Sequence, residues 1–183
     1  ETQEPTIRRL IEQVLSGQIR VPAFQRGFVW DEDMVAFFID SIYKGYPFGT
    51  LLFWRTKEPL QYEKKLGPFP LPERDPEYPI DYVLDGQQRI TSIFGVFQTE
   101  LDAEDNWTKI YFDYKSDTSA QESQFFALND NEVDLSRHFP LNCLFDTVAY
   151  RKATKDFDEK LATRIDKVQE IFKEARIPIQ VLQ

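Results

Sequence analysis

The spacing of hydrophobic residues changes between helical and strand patterns along the first hundred positions. Apolar residues recur at helical intervals after Thr6, after Asp31 and over residues 87–98, which predicts three amphipathic helices. Continuous apolar runs over residues 50–54 and 80–84 predict two buried strands. Because a side-chain oxygen of Thr6 or Asp31 can accept a hydrogen bond from the first helical turn, both residues are predicted to be N-caps.

The second half of the chain continues the same mixture of patterns. Strands are predicted over residues 109–114 and 123–128, with turn residues between them, and an amphipathic helix is predicted over residues 156–176. The stretch 133–155 is ambiguous and is predicted to form short helices. The apolar run 177–183 resembles a strand that needs partners, so we expect the chain to be a piece of a longer protein. The predicted fold class is α+β.

The pattern divides the chain into two predicted segments. Residues 1–128 contain most of the predicted strands and are expected to form the main domain. Residues 129–183 are expected to be a mostly helical extension that leads to a carboxy-terminal region outside this sequence. Five prolines between residues 65 and 79 predict a surface loop, which is either a lid or a variable insertion.

Composition favours a globular cytoplasmic protein. Of the 183 residues, 42% are hydrophobic and 16 are Phe, which is ample material for a packed core. No run approaches the roughly 18 consecutive apolar residues that a membrane-spanning helix requires, so no membrane partner is expected. The single cysteine, Cys143, cannot form an internal disulfide, which is typical of the reducing cytoplasm. We expect Cys143 to be a small core residue.

The charge balance limits the classes of function. A net charge of −9 disfavours broad binding of nucleic acid, because an acidic surface repels phosphates, but a local basic pocket remains compatible with it. His138 is the only histidine in the sequence, so a histidine metal cluster or a Ser-His-Asp relay is nearly excluded. The sequence contains no glycine-rich phosphate loop with lysine and no Gly-x-Gly-x-x-Gly motif. A bound nucleotide would therefore be held by a different type of binding site.

The strongest candidate site is Asp85-Gly86-Gln87-Gln88-Arg89, between a predicted buried strand and a predicted helix. The first turn of a helix leaves backbone N–H groups without partners, and the helix dipole attracts anions there. Gly86 would let an anion approach the backbone closely. Arg89, one turn later, can bind a phosphate through two hydrogen bonds.

The other side chains of this segment suit hydrolytic chemistry. Gln87 and Gln88 can orient a water molecule or read a base edge. Asp85 is suited to hold a divalent cation or to accept a proton from an attacking water. In the structural alternative, Asp85 only stabilises the turn and Arg89 is solvated.

A second candidate is the pair Gln25 and Arg26, which three aromatic residues surround. Stacking on aromatic rings can hold an arginine while its guanidinium group stays free for phosphate. In the structural alternative, Arg26 packs on its neighbours. The three aromatic residues are Phe24, Phe28 and Trp30.

Three blocks of the sequence resemble one known family. Residues 21–30 read Val-Pro-Ala-Phe-Gln-Arg-Gly-Phe-Val-Trp, residues 39–49 read Ile-Asp-Ser-Ile-Tyr-Lys-Gly-Tyr-Pro-Phe-Gly, and residues 82–92 read Tyr-Val-Leu-Asp-Gly-Gln-Gln-Arg-Ile-Thr-Ser. Together they resemble the amino-terminal domain of GmrSD-type modification-dependent restriction enzymes and related phage-defence proteins. The resemblance implies a ParB-like nucleotide-binding domain over residues 1–128, with the small mixed sheet and surrounding helices of the ParB/sulfiredoxin fold group.

The resemblance also implies a function and a set of site residues. In such proteins the Asp-Gly-Gln-Gln-Arg motif is tied to binding and hydrolysis of a nucleoside triphosphate, which regulates DNA cleavage by a carboxy-terminal His-Asn-His-type nuclease domain. Asp85, Gln88 and Arg89 would be catalytic, with Mg²⁺ held by Asp85. The nucleotide would be bound by Gln25, Arg26, Gly86, Gln87 and Arg89. Expected partners are the nucleotide, the nuclease domain, modified DNA through the full-length protein and, in a homodimer, a second copy.

Two other hypotheses compete with this one. The domain would be a metal-dependent ParB-like DNA nuclease if Asp85 held the metal and Arg26 and Arg89 held the scissile phosphate. It would be a non-catalytic sensor of modified DNA or of a partner protein if the aromatic loop over residues 24–30 were a contact surface. The acidic charge of the chain argues against the nuclease.

Overall fold

A computed structural model describes residues 1–117 and 121–183. The helices within these ranges are α1 (Ile7–Leu15), α2 (Glu32–Lys44), α3 (Gln87–Phe97), α4 (Thr147–Thr154) and α5 (Glu159–Glu174). The strands are β1 (Thr2–Gln3), β2 (Ile19–Arg20), β3 (Leu51–Thr56), β4 (Lys65–Leu66), β5 (Phe69–Pro70), β6 (Ile80–Asp85), β7 (Ile110–Asp113), β8 (Phe125–Ala127), β9 (His138–Pro140) and β10 (Ile179–Leu182). The predicted α+β class is confirmed. No helix of the described residues has the length and apolar character to cross a membrane.

The main sheet joins strands from both ends of the chain. Its order is β1-β10-β3-β6-β2, and β3 runs antiparallel to β6 and parallel to β10. The predicted carboxy-terminal strand is confirmed as β10, which lies between β1 and β3 and buries Ile179 and Val181. The prediction of a buried strand is confirmed for β6, which is buried over residues 80–83, and is wrong in part for β3, in which only Leu51 and Phe53 are buried.

The predicted helix starts are confirmed in atomic detail. The Thr6 hydroxyl accepts a hydrogen bond from the N–H of Arg9 at 3.2 Å, and the Asp31 carboxylate accepts one from the N–H of Met34 at 2.9 Å. Each bond satisfies an N–H group that the first turn of the helix leaves unpaired. Gly45, in the left-handed conformation with φ of 73°, ends α2.

A second sheet contains β8, β7 and β9 in that order. The strands predicted over residues 109–114 and 123–128 are confirmed as β7 and β8, while the turn predicted between them lies partly outside the described residues. The prediction of short helices over residues 133–155 is wrong in part. Strand β9 precedes a 3-10 helix over Leu141–Cys143 and helix α4, and its three residues are too few for an alternating pattern to be visible.

The prediction of a surface loop over residues 65–79 is also wrong in part. Strands β4 and β5 form a hairpin there, and Leu66 and Phe69 are buried. The ring of Phe69 packs on Phe94 and on Trp107, with centroid distances of 5.9 and 5.2 Å. These apolar contacts hold the segment against the core despite its prolines. Residues 71–79 contain neither helix nor strand.

The core is continuous from the first helix to the last strand. Phe172 of α5 packs on Phe97 of α3 at 5.0 Å, on Phe125 of β8 at 5.5 Å and on Tyr43 of α2 at 5.7 Å. Together with the position of β10, these contacts make the packing continuous across the boundary predicted between residues 128 and 129. The extension therefore helps to position α2 and α3, the two helices next to the candidate site.

Candidate functional site

The junction between β6 and α3 is a sharp turn with a left-handed residue, as the glycine in the sequence predicts. Gly86 has a φ of 108°, which disfavours any residue with a Cβ, and a Cβ at this position would lie 2.2 Å from Cδ2 of the fully buried Leu51. No described side chain forms a capping hydrogen bond with the first turn of α3. The helix therefore begins with backbone N–H groups available to an external acceptor.

Arg89 is held at the edge of this junction. Its Nη1 donates a hydrogen bond to the carbonyl oxygen of Phe48 at 2.8 Å, and its side chain is only 16% exposed. A Cβ on Gly49 would come within 3.0 Å of Nη1, so the turn that contains Gly49 fits closely around the guanidinium group. The alternative of a solvated Arg89 is therefore wrong. The contact with Phe48 preorganises the positive charge beside the start of α3.

Asp85 is the one acidic residue that lines the cleft at this junction within the described residues. Its side chain is 74% exposed, and Oδ2 lies 3.8 Å from Nη2 of Arg89. Such a long, exposed ion pair contributes little to stability. In the part of the chain that the structure describes, no group of three His, Cys, Asp or Glu residues is placed to hold a metal ion. A cation at Asp85 would therefore need oxygen ligands from a bound molecule.

Gln25 attaches the aromatic loop of residues 24–30 to the end of β6. Its Nε2 donates hydrogen bonds to the carbonyl oxygens of Val83 and Leu84, at 2.9 and 3.1 Å. The neighbouring Arg26 is thereby placed beside the start of α3. Arg26 itself is exposed and forms no hydrogen bond or ion pair with another residue of the described ranges.

Gln88 attaches the same loop to α3. Its Oε1 accepts hydrogen bonds from the N–H groups of Val29 and Trp30, at 2.8 and 3.1 Å, and its Nε2 donates to the carbonyl oxygen of Gly27 at 3.0 Å. Three contacts leave this amide little capacity to orient a water. The structure therefore places Gln88 as a residue that positions the loop.

Gln87 has the opposite environment. Its residue is only 9% exposed, yet its side-chain amide has no hydrogen-bond partner among the described residues. It lines the cleft between the aromatic loop and α3. The amide atoms are not among the enclosed unpaired side-chain atoms of the described residues, so they open to the cleft and can form hydrogen bonds with a ligand or water there. Of the two glutamines predicted to contact a ligand or a water, Gln87 is the one with a free amide.

All seven predicted site residues line one cleft of about 320 Å³. Two arginines and one aspartate surround it, so its charge is positive although the chain as a whole carries −9. Trp30 and Leu84 also line the cleft, and the carbonyl of Phe48 holds Arg89. Of these three further groups, the sequence indicates only Trp30, as part of the aromatic loop. The Phe48 carbonyl could not be predicted, because every residue type has a backbone carbonyl. The seven residues are Gln25, Arg26, Asp85, Gly86, Gln87, Gln88 and Arg89.

The remaining candidates lie outside this cleft. Nδ1 of His138 accepts a hydrogen bond from the N–H of Asp134 at 3.0 Å. Burial, together with the nearby Asp146 carboxylate, raises the pKa of the Cys143 thiol, and Cys143 packs on the core as predicted. A raised pKa lowers the fraction of reactive thiolate.

Comparison with known proteins identifies a family for this chain. A family model described as the N-terminal domain of the GmrSD restriction endonuclease matches residues 7–182. The match includes the cleft, helix α5 and most of β10. None of the curated proteins matches the chain.

Proposed function

Since the chain belongs to the family of GmrSD restriction endonuclease N-terminal domains, we propose that its cleft binds and hydrolyses a nucleoside triphosphate and thereby regulates DNA cleavage. The cleavage would be performed by a nuclease domain elsewhere in the full-length protein. The observation that carries the proposal is the convergence of an uncapped helix start, Arg26 and Arg89 on one cleft.

The cleft suits phosphate oxygens for three physical reasons. The first-turn N–H groups of α3 and the helix dipole attract an anion. Gly86, with its φ of 108° and no Cβ to collide with Leu51, permits the sharp turn that brings the start of α3 to the cleft. Arg89, held by the carbonyl of Phe48, and Arg26, on the facing loop, add charge from two sides. Charges that are already in place stabilise phosphate without the cost of reorganisation.

The glutamine amides and the Asp85 carboxylate have different roles in this proposal. Gln25 and Gln88 position the loop that carries Arg26. Gln87 presents its free amide to a phosphate oxygen or to the attacking water; the sequence predicted orientation of a water by either glutamine. Asp85, exposed and without a second carboxylate beside it in the cleft, suits a Mg²⁺ ion that is held mainly by phosphates. When bound, the ion would offset phosphate charge.

The proposal is tested with a non-hydrolysable nucleoside triphosphate analogue in the presence of Mg²⁺. We expect Arg26→Ala to weaken binding by about 10- to 100-fold in isothermal titration, because a hydrogen bond to a charged group is lost. Arg26 is exposed and forms no hydrogen bond or ion pair within residues 1–117 and 121–183, so the variant should keep its thermal stability. Arg151→Ala, which removes an exposed arginine on α4, is the matched control. Equal affinity for the two variants would contradict the proposal.

The alternatives have weaker support. A nuclease centre in this domain would have to rely on Asp85 alone, given the absence of a metal-ligand group among residues 1–117 and 121–183. The sensor hypothesis is favoured by one observation: Phe24, the first residue of the aromatic loop, is 73% exposed. Binding of an oligonucleotide with modified bases, without nucleotide and lost in Phe24→Ala, would support the sensor.

A further inference from the structure

A second hollow of about 660 Å³ adjoins the cleft and has a different chemical character. It lies between α2 and the turn that contains Phe48, and we call it the aromatic groove. Trp30 and Arg89 line both the groove and the cleft, so the two hollows are neighbours that share a boundary. Its volume is in the range typical of small-molecule sites, which is about 300–1,000 Å³.

The groove is built from aromatic rings. Phe38 packs edge-on against Trp30 at 5.6 Å and against Phe48 at 5.2 Å, so the three rings form a rigid floor. Phe37 and Met34, on the side of α2, are 69% and 47% exposed. Because Met34 and Phe37 line the same hollow, they form a contiguous exposed apolar patch, which is typical of a binding surface.

The polar groups of the groove do not suit phosphate. Asp31 and Asp33 line it, and their two negative charges exceed the single positive charge of Arg89 at the boundary with the cleft, so the groove disfavours an anion. The Asp31 carboxylate is already used to cap α2, and the Ser41 hydroxyl donates a hydrogen bond to the carbonyl oxygen of Phe37 at 3.0 Å. The groove therefore offers ring faces more than hydrogen-bonding groups. Phosphate is favoured in the cleft, and a flat uncharged ring is favoured in the groove.

We propose that the aromatic groove binds the nucleobase of the nucleotide whose phosphates occupy the cleft. This inference rests on the proposed function, which it extends from phosphate binding to binding of the base. A nucleoside triphosphate has the same division as the two hollows, with a charged chain at one end and a flat heterocycle at the other. Phe37 stacks on the base, and Trp30 connects the two parts of the site. Gln88, through its bond to the N–H of Trp30, positions this shared residue.

The test compares two ligands that differ by the nucleoside. The 183-residue chain is titrated with a non-hydrolysable nucleoside triphosphate analogue and, separately, with inorganic tripolyphosphate, both with Mg²⁺. We expect Phe37→Ala to weaken the affinity for the nucleotide by about 5- to 100-fold, as for loss of one base–aromatic stack, and to leave the affinity for tripolyphosphate unchanged. Phe37→Tyr should retain the affinity. Leu135→Ala is the matched control, because Leu135 is 71% exposed and lies outside the groove.

The outcomes separate this inference from the proposed function. If Phe37→Ala leaves nucleotide affinity unchanged while Arg26→Ala weakens both ligands, the groove is not the base site and the phosphate site stands. An equal loss of affinity for both ligands in Phe37→Ala would also overturn the inference, because the effect would then not depend on the base. If Phe37→Ala changes the molecular mass of the protein in solution relative to the wild type but leaves nucleotide affinity unchanged, the inference is overturned and the groove is an interface between copies of the chain. Absence of binding of either ligand to the wild type would overturn both proposals.

Discussion

At the scale of single residues, the two glutamines of the Asp-Gly-Gln-Gln-Arg segment have different roles although they are adjacent. Gln87 has a free amide in the cleft, while Gln88 uses its amide to hold the aromatic loop. Successive residues of a helix point about 100° apart, so neighbours in sequence face different surroundings. Gln88 needs an amide because it must accept from two N–H groups and donate to a carbonyl.

We expect Gln88→Glu to loosen the aromatic loop. A carboxylate can still accept from Val29 and Trp30, but it cannot donate to the carbonyl of Gly27 and would repel that oxygen. Loss of a hydrogen bond worth about 0.5–1.5 kcal/mol should increase hydrogen exchange of the loop amides several-fold. Mass spectrometry of peptides over residues 24–30 measures this. Gln13→Glu on α1 is the control, and equal exchange in both variants would contradict the assignment.

At the scale of elements, helix α2 connects the core and the candidate site. Its buried face includes Phe38, Ile39 and Ile42, while the exposed side chains of Met34 and Phe37 line the aromatic groove together with Phe38. Strand β3 follows the turn that holds Arg89, and strand β6 leads directly to Gly86. Because β3 and β6 are paired and β10 flanks β3, the geometry of the cleft depends on the integrity of this sheet.

Strand β10 should therefore contribute strongly to stability. Ile179 is buried between β1 and β3, and Ile179→Ala should lower the free energy of unfolding by about 2–5 kcal/mol. Leu182→Ala, in the same strand but with an exposed side chain, should change it by no more than about 0.5 kcal/mol. Urea denaturation followed by circular dichroism measures both values. Similar, small losses would indicate that the last strand is dispensable for the sheet.

At the scale of the whole molecule, an acidic protein surrounds a basic cleft. The net charge of −9 disfavours association with long nucleic acids, whereas the two arginines of the cleft create a local positive potential. The same excess of carboxylates makes stability sensitive to acid wherever a carboxylate is paired in the folded state. Asp113 of β7, with its side chain buried and bonded to Arg137 at 2.9 Å, is such a group.

Burial acts to raise the pKa of Asp113, but hydrogen bonds from Arg137 and from the N–H of Lys115 outweigh it, so the pKa lies below its ordinary value of 3.8. A carboxyl group with a lowered pKa stabilises the fold above its ordinary pKa, and this contribution is lost as pH falls through the lowered value. We expect Arg137→Ala to lower Tm at pH 7 by more than at pH values below about 3.

Calorimetry across this pH range is the measurement for the Asp113 prediction. Arg9→Ala, which removes an exposed ion pair on α1, should have a small effect at every pH. A loss of stability in Arg137→Ala that does not vary with pH would show that the substitution acts through packing and not through the charge of Asp113.

The sequence by itself determined the local features of this protein. The helix starts at Thr6 and Asp31 depend on neighbours along the chain, and the left-handed turn at Gly86 is one that glycine favours, so all three were predictable. The helix starts rely on interactions within one helical turn, which the pattern of residues records directly.

Only the tertiary structure decided which distant groups meet. The insertion of β10 between β1 and β3, the burial of the β4–β5 hairpin and the short strand β9 depend on contacts between residues far apart in sequence. The same is true of the carbonyl of Phe48 that holds Arg89 and of the loop that occupies the amide of Gln88. Such contacts follow from how the core packs, and a backbone carbonyl leaves no trace in the residue type that carries it.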